Sequence, residues 1–133
     1  MSDRLRYLDA SALIKLVVAE PESEALARWL GPEPRIASSE VAISELVRAV
    51  RLADSRAEVA DRARRRLEET TLVELSRNLL ERAATVGPPR LRTLDAIHLA
   101  TALAIEPDEL VAYDRRLLDA AAEAGLTVAS PGA

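Results

Sequence analysis

Residues 5–19 read Leu-Arg-Tyr-Leu-Asp-Ala-Ser-Ala-Leu-Ile-Lys-Leu-Val-Val-Ala. Leu5 to Asp9 predicts a short strand, which passes without a turn residue into an apolar helix over Ala10 to Ala19, stopped by Glu20-Pro21. Working outward, Glu22 to Leu30 reads as a helix closed by Gly31-Pro32 and Pro34, and Arg35 to Ser38 as a strand. Ser38 or Ser39 caps a helix over Glu40 to Ala53, and Arg56 to Glu69 forms another, charged nearly all round. Thr71 to Leu75 is a strand with β-branched residues, and Ser76 caps a helix reaching about Val86, ended by Gly87-Pro88-Pro89. Thr93 caps a markedly apolar helix, Leu94 to Ile105. Leu110 to Tyr113 is a strand, Asp114 opens a helix to Ala124 closed by Gly125, Leu126 to Ala129 is the last strand, and Ser130 to Ala133 reads as a loose tail. Five strands alternating with helices predict an α/β fold with a mainly parallel sheet.

The length of 133 residues predicts a single domain, 1–133. The sequence has no cysteine, which removes disulfides, cysteine zinc sites and thiol catalysis, and its one histidine, His98, excludes any mechanism needing two imidazoles. None of the four glycines forms a phosphate-cradling loop. The opening Met1-Ser2-Asp3-Arg4 shows no targeting pattern, and the longest nearly apolar run, Ala10 to Ala19, is far short of a membrane span, so a soluble cytoplasmic protein is expected. A net charge of −4 argues, at first sight, against a nucleic-acid partner.

In a parallel α/β sheet, ligands bind beyond the carboxyl ends of the strands. Asp9 ends the first strand and Asp114 directly follows the strand ending at Tyr113, and each is also a good helix cap. Glu45 falls inside the apolar arc of its helix, formed by Ala42, Leu46, Ala49, Val50 and Ala53 and extended by Val41 and Leu52. A carboxylate there needs a cation, either Arg48 one turn on or a metal ion. In Leu94 to Ile105 the polar residues are Asp95, His98 and Thr101, a stripe at three-residue spacing on an otherwise Ala, Leu and Ile helix. Capping accounts for Asp95 but not for the stripe, and His98 reads as a hydrogen-bonded structural histidine ahead of a ligand. Asp9, Glu45, Asp95 and Asp114 thus converge at one end of the sheet, where without a counterion they repel. Hard divalent cations such as Mg²⁺ take such oxygen ligands, and metal-assisted hydrolysis is the chemistry this composition leaves standing.

At these residues the sequence resembles the PIN-domain family and, within it, the VapC-type toxins of bacterial toxin–antitoxin modules. The segments Tyr-Leu-Asp-Ala-Ser-Ala-Leu-Ile-Lys-Leu (7–16), Ile-Ser-Glu-Leu-Val-Arg-Ala (43–49), Leu-Asp-Ala-Ile-His-Leu-Ala-Thr-Ala-Leu (94–103) and Ala-Tyr-Asp-Arg-Arg-Leu (112–117) are similar to its four motifs, in order along the chain. The resemblance implies a PIN-like fold with a five-stranded parallel sheet and a Mg²⁺- or Mn²⁺-dependent endoribonuclease. It carries Asp9, Glu45, Asp95 and Asp114 over as the catalytic and metal-holding acids, with Ser11 orienting a carboxylate or a metal-bound water. It also implies an RNA substrate, a homodimer, and a VapB-type antitoxin that forms a hetero-oligomer with the toxin.

Among the basic residues, Lys15 is a candidate phosphate contact or a snorkelling surface side chain. Arg62, Arg64, Arg65 and Arg66 lie among Glu58, Asp61, Glu68 and Glu69 and read as a salt-bridged, solvated helix. Arg90, Arg92, Arg115 and Arg116 flank the motifs bearing Asp95 and Asp114 and are candidate RNA-backbone contacts. The rival readings are an RNA-processing nuclease without a toxin role and a non-catalytic α/β binding module. A haloacid-dehalogenase-like phosphatase fits worse, because it needs a second Asp where the chain has Ser11. One bound divalent ion moves the net charge from −4 to −2, so acidity at the groove is compatible with an RNA substrate.

Overall fold

The computed structural model describes residues 3–133; Met1 and Ser2, part of the segment read for a targeting signal, lie outside it. Five strands form one sheet: β1 (Leu5–Leu8), β2 (Arg35–Ser39), β3 (Thr71–Val73), β4 (Glu109–Val111) and β5 (Val128–Ala129). Their order is β3-β2-β1-β4-β5, and every pairing is parallel. The register sets Tyr7 beside Ala37 and Leu110, and Leu8 beside Val111. Chain order runs outward from β1 through β2 to β3, then returns to the other side of β1 for β4 and β5. The switch therefore lies between β1 and β4, and ligands of open parallel sheets bind at the carboxyl ends of strands flanking such a switch.

Both faces of the sheet are covered, as parallel pairing demands. Strand alternation turns Leu8, Ile36 and Val111 toward α1 (Ala10–Leu13), α2 (Ser23–Leu30), α3 (Val41–Ala53) and α4 (Ala57–Glu68). Tyr7, Ala37 and Leu110 face α6 (Thr93–Ile105) and α7 (Arg115–Glu123) instead. The short α5 (Arg77–Ala83) packs on α6 through Leu79 and Ala83 against Ala96, Ile97 and Ala100. From Ala96 to Ala102 every residue of α6 is buried, which explains its almost unbroken apolar sequence. None of the helices among the described residues is long and apolar enough to cross a membrane.

Several boundaries differ from the sequence expectation. The helix expected over Ala10 to Ala19 is α-helical only to Leu13 and continues as a 3₁₀ turn over Ile14–Leu16. Arg62 Nη2 donates to the Val17 carbonyl at 3.1 Å and Ser23 Oγ to that of Val18 at 3.2 Å, so tertiary donors end the helix before Pro21 does. Helix α5 stops at Ala83 rather than Val86, ahead of two β-branched residues and Gly87, whose φ of 69° suits glycine. Thr93 is the first residue of α6, and Arg92 occupies the cap position. Ser39 lies in β2, yet its hydroxyl still accepts from Val41 N at 3.1 Å. The buried stripe of α3 is narrower than expected, with Ala42, Leu46 and Val50 inside and Leu52 91% exposed. The tail is tied down, because Ser130 Oγ donates to the Ala112 carbonyl at 2.6 Å and Tyr113 OH to that of Pro131 at 2.7 Å.

Candidate active site

Asp9 follows β1 and caps α1. Its Oδ1 accepts Ala12 N at 3.0 Å and Ser11 Oγ at 2.7 Å, and the residue is only 4% exposed. Asp114 repeats the arrangement on the other side of the switch, its Oδ1 accepting Arg116 N at 2.9 Å and Leu117 N at 3.2 Å. Strand β4 ends at Val111, so Asp114 sits three residues beyond it instead of directly following. Capping and ligand duty do not compete at these positions. Each cap engages one carboxylate oxygen, and neither Oδ2 takes part in a hydrogen bond among the described residues.

Glu45, on α3, is paired with His98 and not with Arg48: His98 Nε2 lies 2.6 Å from Glu45 Oε1. The expectation of Arg48 as partner fails because Arg48 points out to solvent, whereas α6 runs beside Glu45 and delivers the imidazole. The other ring nitrogen of that imidazole is engaged by Tyr7, whose OH lies 2.7 Å from Nδ1. Asp95, in the first turn of α6, has neither hydrogen bond nor ion pair among the described residues.

The four acids form one electrostatic cluster. Burial raises the Asp9 carboxyl to about 6, opposed by His98 and by the Ser11 and Ala12 hydrogen bonds, with Glu45 adding to the rise. Burial also pushes Asp95 up, together with Asp114 and more weakly Glu45, while His98 and Arg92 pull it down. Carboxylates held close enough to oppose one another's ionisation, each with an unengaged oxygen, are the donor chemistry of a hard divalent cation. Among the described residues no three of them close on a common point as they stand. The donor types and the raised carboxyls fit such a cation.

The basic candidates separate into two groups. Lys15 Nζ is paired with Glu20 at 3.0 Å and Glu22 at 2.9 Å and sits 4.5 Å above the Tyr113 ring. Its side chain is only 11% exposed and does not snorkel into solvent; its ammonium is engaged where it stands by both carboxylates and the ring. Arg90, Arg92, Arg115 and Arg116 are all exposed, with Arg92 capping α6 and Arg115 and Arg116 opening α7, beside Asp95 and Asp114. In the basic run, Arg64 meets Asp61 at 3.0 Å and Glu68 at 3.5 Å, and Arg66 meets Glu69 at 3.5 Å, as a salt-bridged face requires.

Tyr7 and Ser38 were not legible as parts of this region. Ser38 Oγ is fully buried without a well-formed hydrogen bond and interacts with the Tyr7 phenol. The one available signal was that Tyr7 lies two residues before Asp9 on a strand, hence on the same face.

A PIN-domain family model matches residues 6–123. Ribonuclease VapC46 of Mycobacterium tuberculosis is 42% identical over 127 residues, covering 94% of this chain and 96% of that protein. Ribonuclease VapC47 of the same species is 40% identical over 133 residues, covering 96% and 97%. Among solved structures, M. tuberculosis VapC20, described as a Sarcin-Ricin loop cleaving toxin, superposes with a TM-score of 0.74 at 16% identity, over 95% of this chain and 99% of that one. A chain of a toxin–antitoxin complex from Klebsiella pneumoniae superposes with a TM-score of 0.67 at 21% identity, over 95% and 97%. With its strand order, its switch-point carboxylates and these relatives in agreement, the chain belongs to the PIN-domain family, in its VapC group.

Proposed function

We propose that this protein is a Mg²⁺- or Mn²⁺-dependent endoribonuclease, a single domain over residues 1–133. In this reading it is the toxin of a VapBC-type module, acting on RNA in the cytoplasm as a homodimer and restrained by a VapB-type antitoxin in a hetero-oligomer. One observation carries the reading: Asp9, Glu45, Asp95 and Asp114 share an electrostatic cluster at the sheet's switch point, each keeping an oxygen unengaged. The ribonuclease names of relatives near 40% identity support it.

A divalent ion held there would supply a lowered water pKa and polarisation of a phosphoryl oxygen. The four carboxylates would hold it, and the chain's remaining part is orientation. Ser11 and the Ala12 amide fix Asp9 through Oδ1, the first amides of α7 fix Asp114, and His98 fixes Glu45. In this reading the exposed Arg90, Arg92, Arg115 and Arg116 would contact the RNA backbone.

The direct test is RNA cleavage by purified Asp9→Asn and Asp95→Asn variants with Mg²⁺ or Mn²⁺. Both are expected to fold and to lose cleavage; either one cutting at the wild-type rate defeats the site assignment. Expression alone in a bacterial host tests the toxin role. Growth arrest relieved by co-expression of an upstream antitoxin reading frame supports it, and unimpaired growth with active protein points to RNA processing instead.

A further inference from the structure

His98 is 1% exposed, and both of its ring nitrogens are engaged, by Tyr7 OH at 2.7 Å and by Glu45 Oε1 at 2.6 Å. We propose that His98 is a positioning residue for Glu45: its Nε2–H donates to Oε1 and holds the carboxylate in one place, while Tyr7 determines which ring nitrogen carries the proton. The proposal rests on the metal-nuclease reading of the same site.

The geometry carries the inference in three steps. A glutamate on a helix surface has three side-chain torsions free, and a short hydrogen bond to its carboxylate removes that freedom. The ring that supplies the bond cannot swing away. It lies in the fully buried stretch of α6 and packs edge-on against Tyr7, with centroids 5.8 Å apart and planes at 70°. Finally, the Tyr7 phenol carries an O–H that lies within donating distance of Nδ1 at 2.7 Å. With Nδ1 accepting, the proton of a neutral ring is on Nε2, toward Glu45.

This also accounts for the polar stripe on α6. Thr101 turns its hydroxyl back to the Ile97 carbonyl at 2.6 Å, and Asp95 faces the other acids, which leaves His98 to connect β1 with α3. A histidine serving packing alone needs only a backbone partner; this one ends its hydrogen bond on a carboxylate of the candidate site. Partners that orient metal-holding side chains typically contribute about 10- to 100-fold to metal affinity or activity.

Because the chain has a single histidine, its imidazole signals need no assignment. A long-range ¹H–¹⁵N spectrum of the metal-free wild type is expected to show a protonated Nε2; an unprotonated Nε2 overturns the proposal. Mn²⁺ alone, titrated calorimetrically, is expected to bind His98→Leu about 10- to 100-fold more weakly than wild type. His98→Gln, whose amide can donate to Glu45, is expected to recover part of that loss. Equal affinity in wild type and a cooperatively melting His98→Leu overturns the proposal. Should His98→Leu fail to fold, Tyr7→Phe decides, since it removes the partner of Nδ1 and little volume. The expected result is a redistributed ring tautomer and weaker Mn²⁺ binding, and an unchanged spectrum with unchanged affinity overturns it. A wild type that takes up no Mn²⁺ defeats the metal reading and with it the purpose assigned to His98. A wild type that binds Mn²⁺ no better than folded His98→Leu defeats the His98 proposal alone.

Discussion

The Tyr113 amide donates to Ser11 Oγ at 3.1 Å across 102 positions of sequence. The same hydroxyl donates to Asp9 Oδ1 at 2.7 Å. One serine therefore joins the β1–α1 junction to the β4–α7 junction and orients the most buried acid of the candidate site. Ser11→Ala leaves the Tyr113 amide without this acceptor and Asp9 with one donor fewer. A loss of about 1–2 kcal/mol in urea unfolding is expected, together with slower RNA cleavage. Wild-type cleavage in Ser11→Ala would show that the hydroxyl orients nothing that matters to the reaction.

Asp9 makes the site costly to the metal-free fold. Its carboxyl rises from 3.8 to about 6 on folding, chiefly through burial. Between those values the folded chain holds a proton that the unfolded chain has lost, so this contribution to stability falls as pH rises through the window. The rise corresponds to about 3 kcal/mol as an upper bound. In EDTA, Asp9→Asn is therefore expected to melt higher than wild type at about pH 7, the gap closing toward about pH 4. Thermal melts of both proteins across that range check it, and a variant that melts lower at neutral pH refutes the desolvation account.

At the opposite end of the strands, Glu109 accepts Arg6 Nε at 2.7 Å and also pairs with Arg4, while Arg6 stacks 4.3 Å from the Trp29 ring. Arg6 and Glu109 are each 8% exposed. Glu109→Ala strands a buried guanidinium and is expected to cost about 3–5 kcal/mol. Specific activity per folded molecule should hold, because the pair is remote from the carboxylates. Chemical denaturation alongside an active-fraction cleavage assay separates the two effects.

Arg115 and Arg116 are exposed at the start of α7. The Arg115→Ala/Arg116→Ala double variant is expected to raise KM for RNA several-fold with kcat little changed, and to flatten the salt dependence of binding by up to about two phosphate contacts. Binding measured across a salt series reads this directly, and an unchanged slope would remove both residues from the RNA path.

Lys15 should behave differently despite lying on the segment after Asp9. Its ammonium is shared by Glu20 and Glu22, so Lys15→Met is expected to leave RNA affinity and the salt slope unaltered while lowering the melting temperature. A loss of RNA affinity comparable to that of the arginine double variant would return Lys15 to the substrate path.

Sequence alone determined the parallel α/β architecture, because strand and helix periodicities and Gly-Pro punctuation are local properties, and Asp9 and Asp114 announced themselves at strand-to-helix junctions. It also singled out Glu45 and Asp95, as polar residues on apolar helix faces stand out without coordinates. What it left open depended on which elements meet. The first helix ends early because Arg62 reaches Val17 from α4, and the tail is pinned because Tyr113 and Ser130 hold it from the sheet edge. Glu45 turned to His98 rather than to Arg48 because a helix neighbour three residues away is only one of its neighbours, and α6 arrives from 53 positions further along. Tyr7 completed that connection from β1, 91 positions before the histidine. Local patterns reveal that a charge must be satisfied; the packing of distant segments decides which group satisfies it.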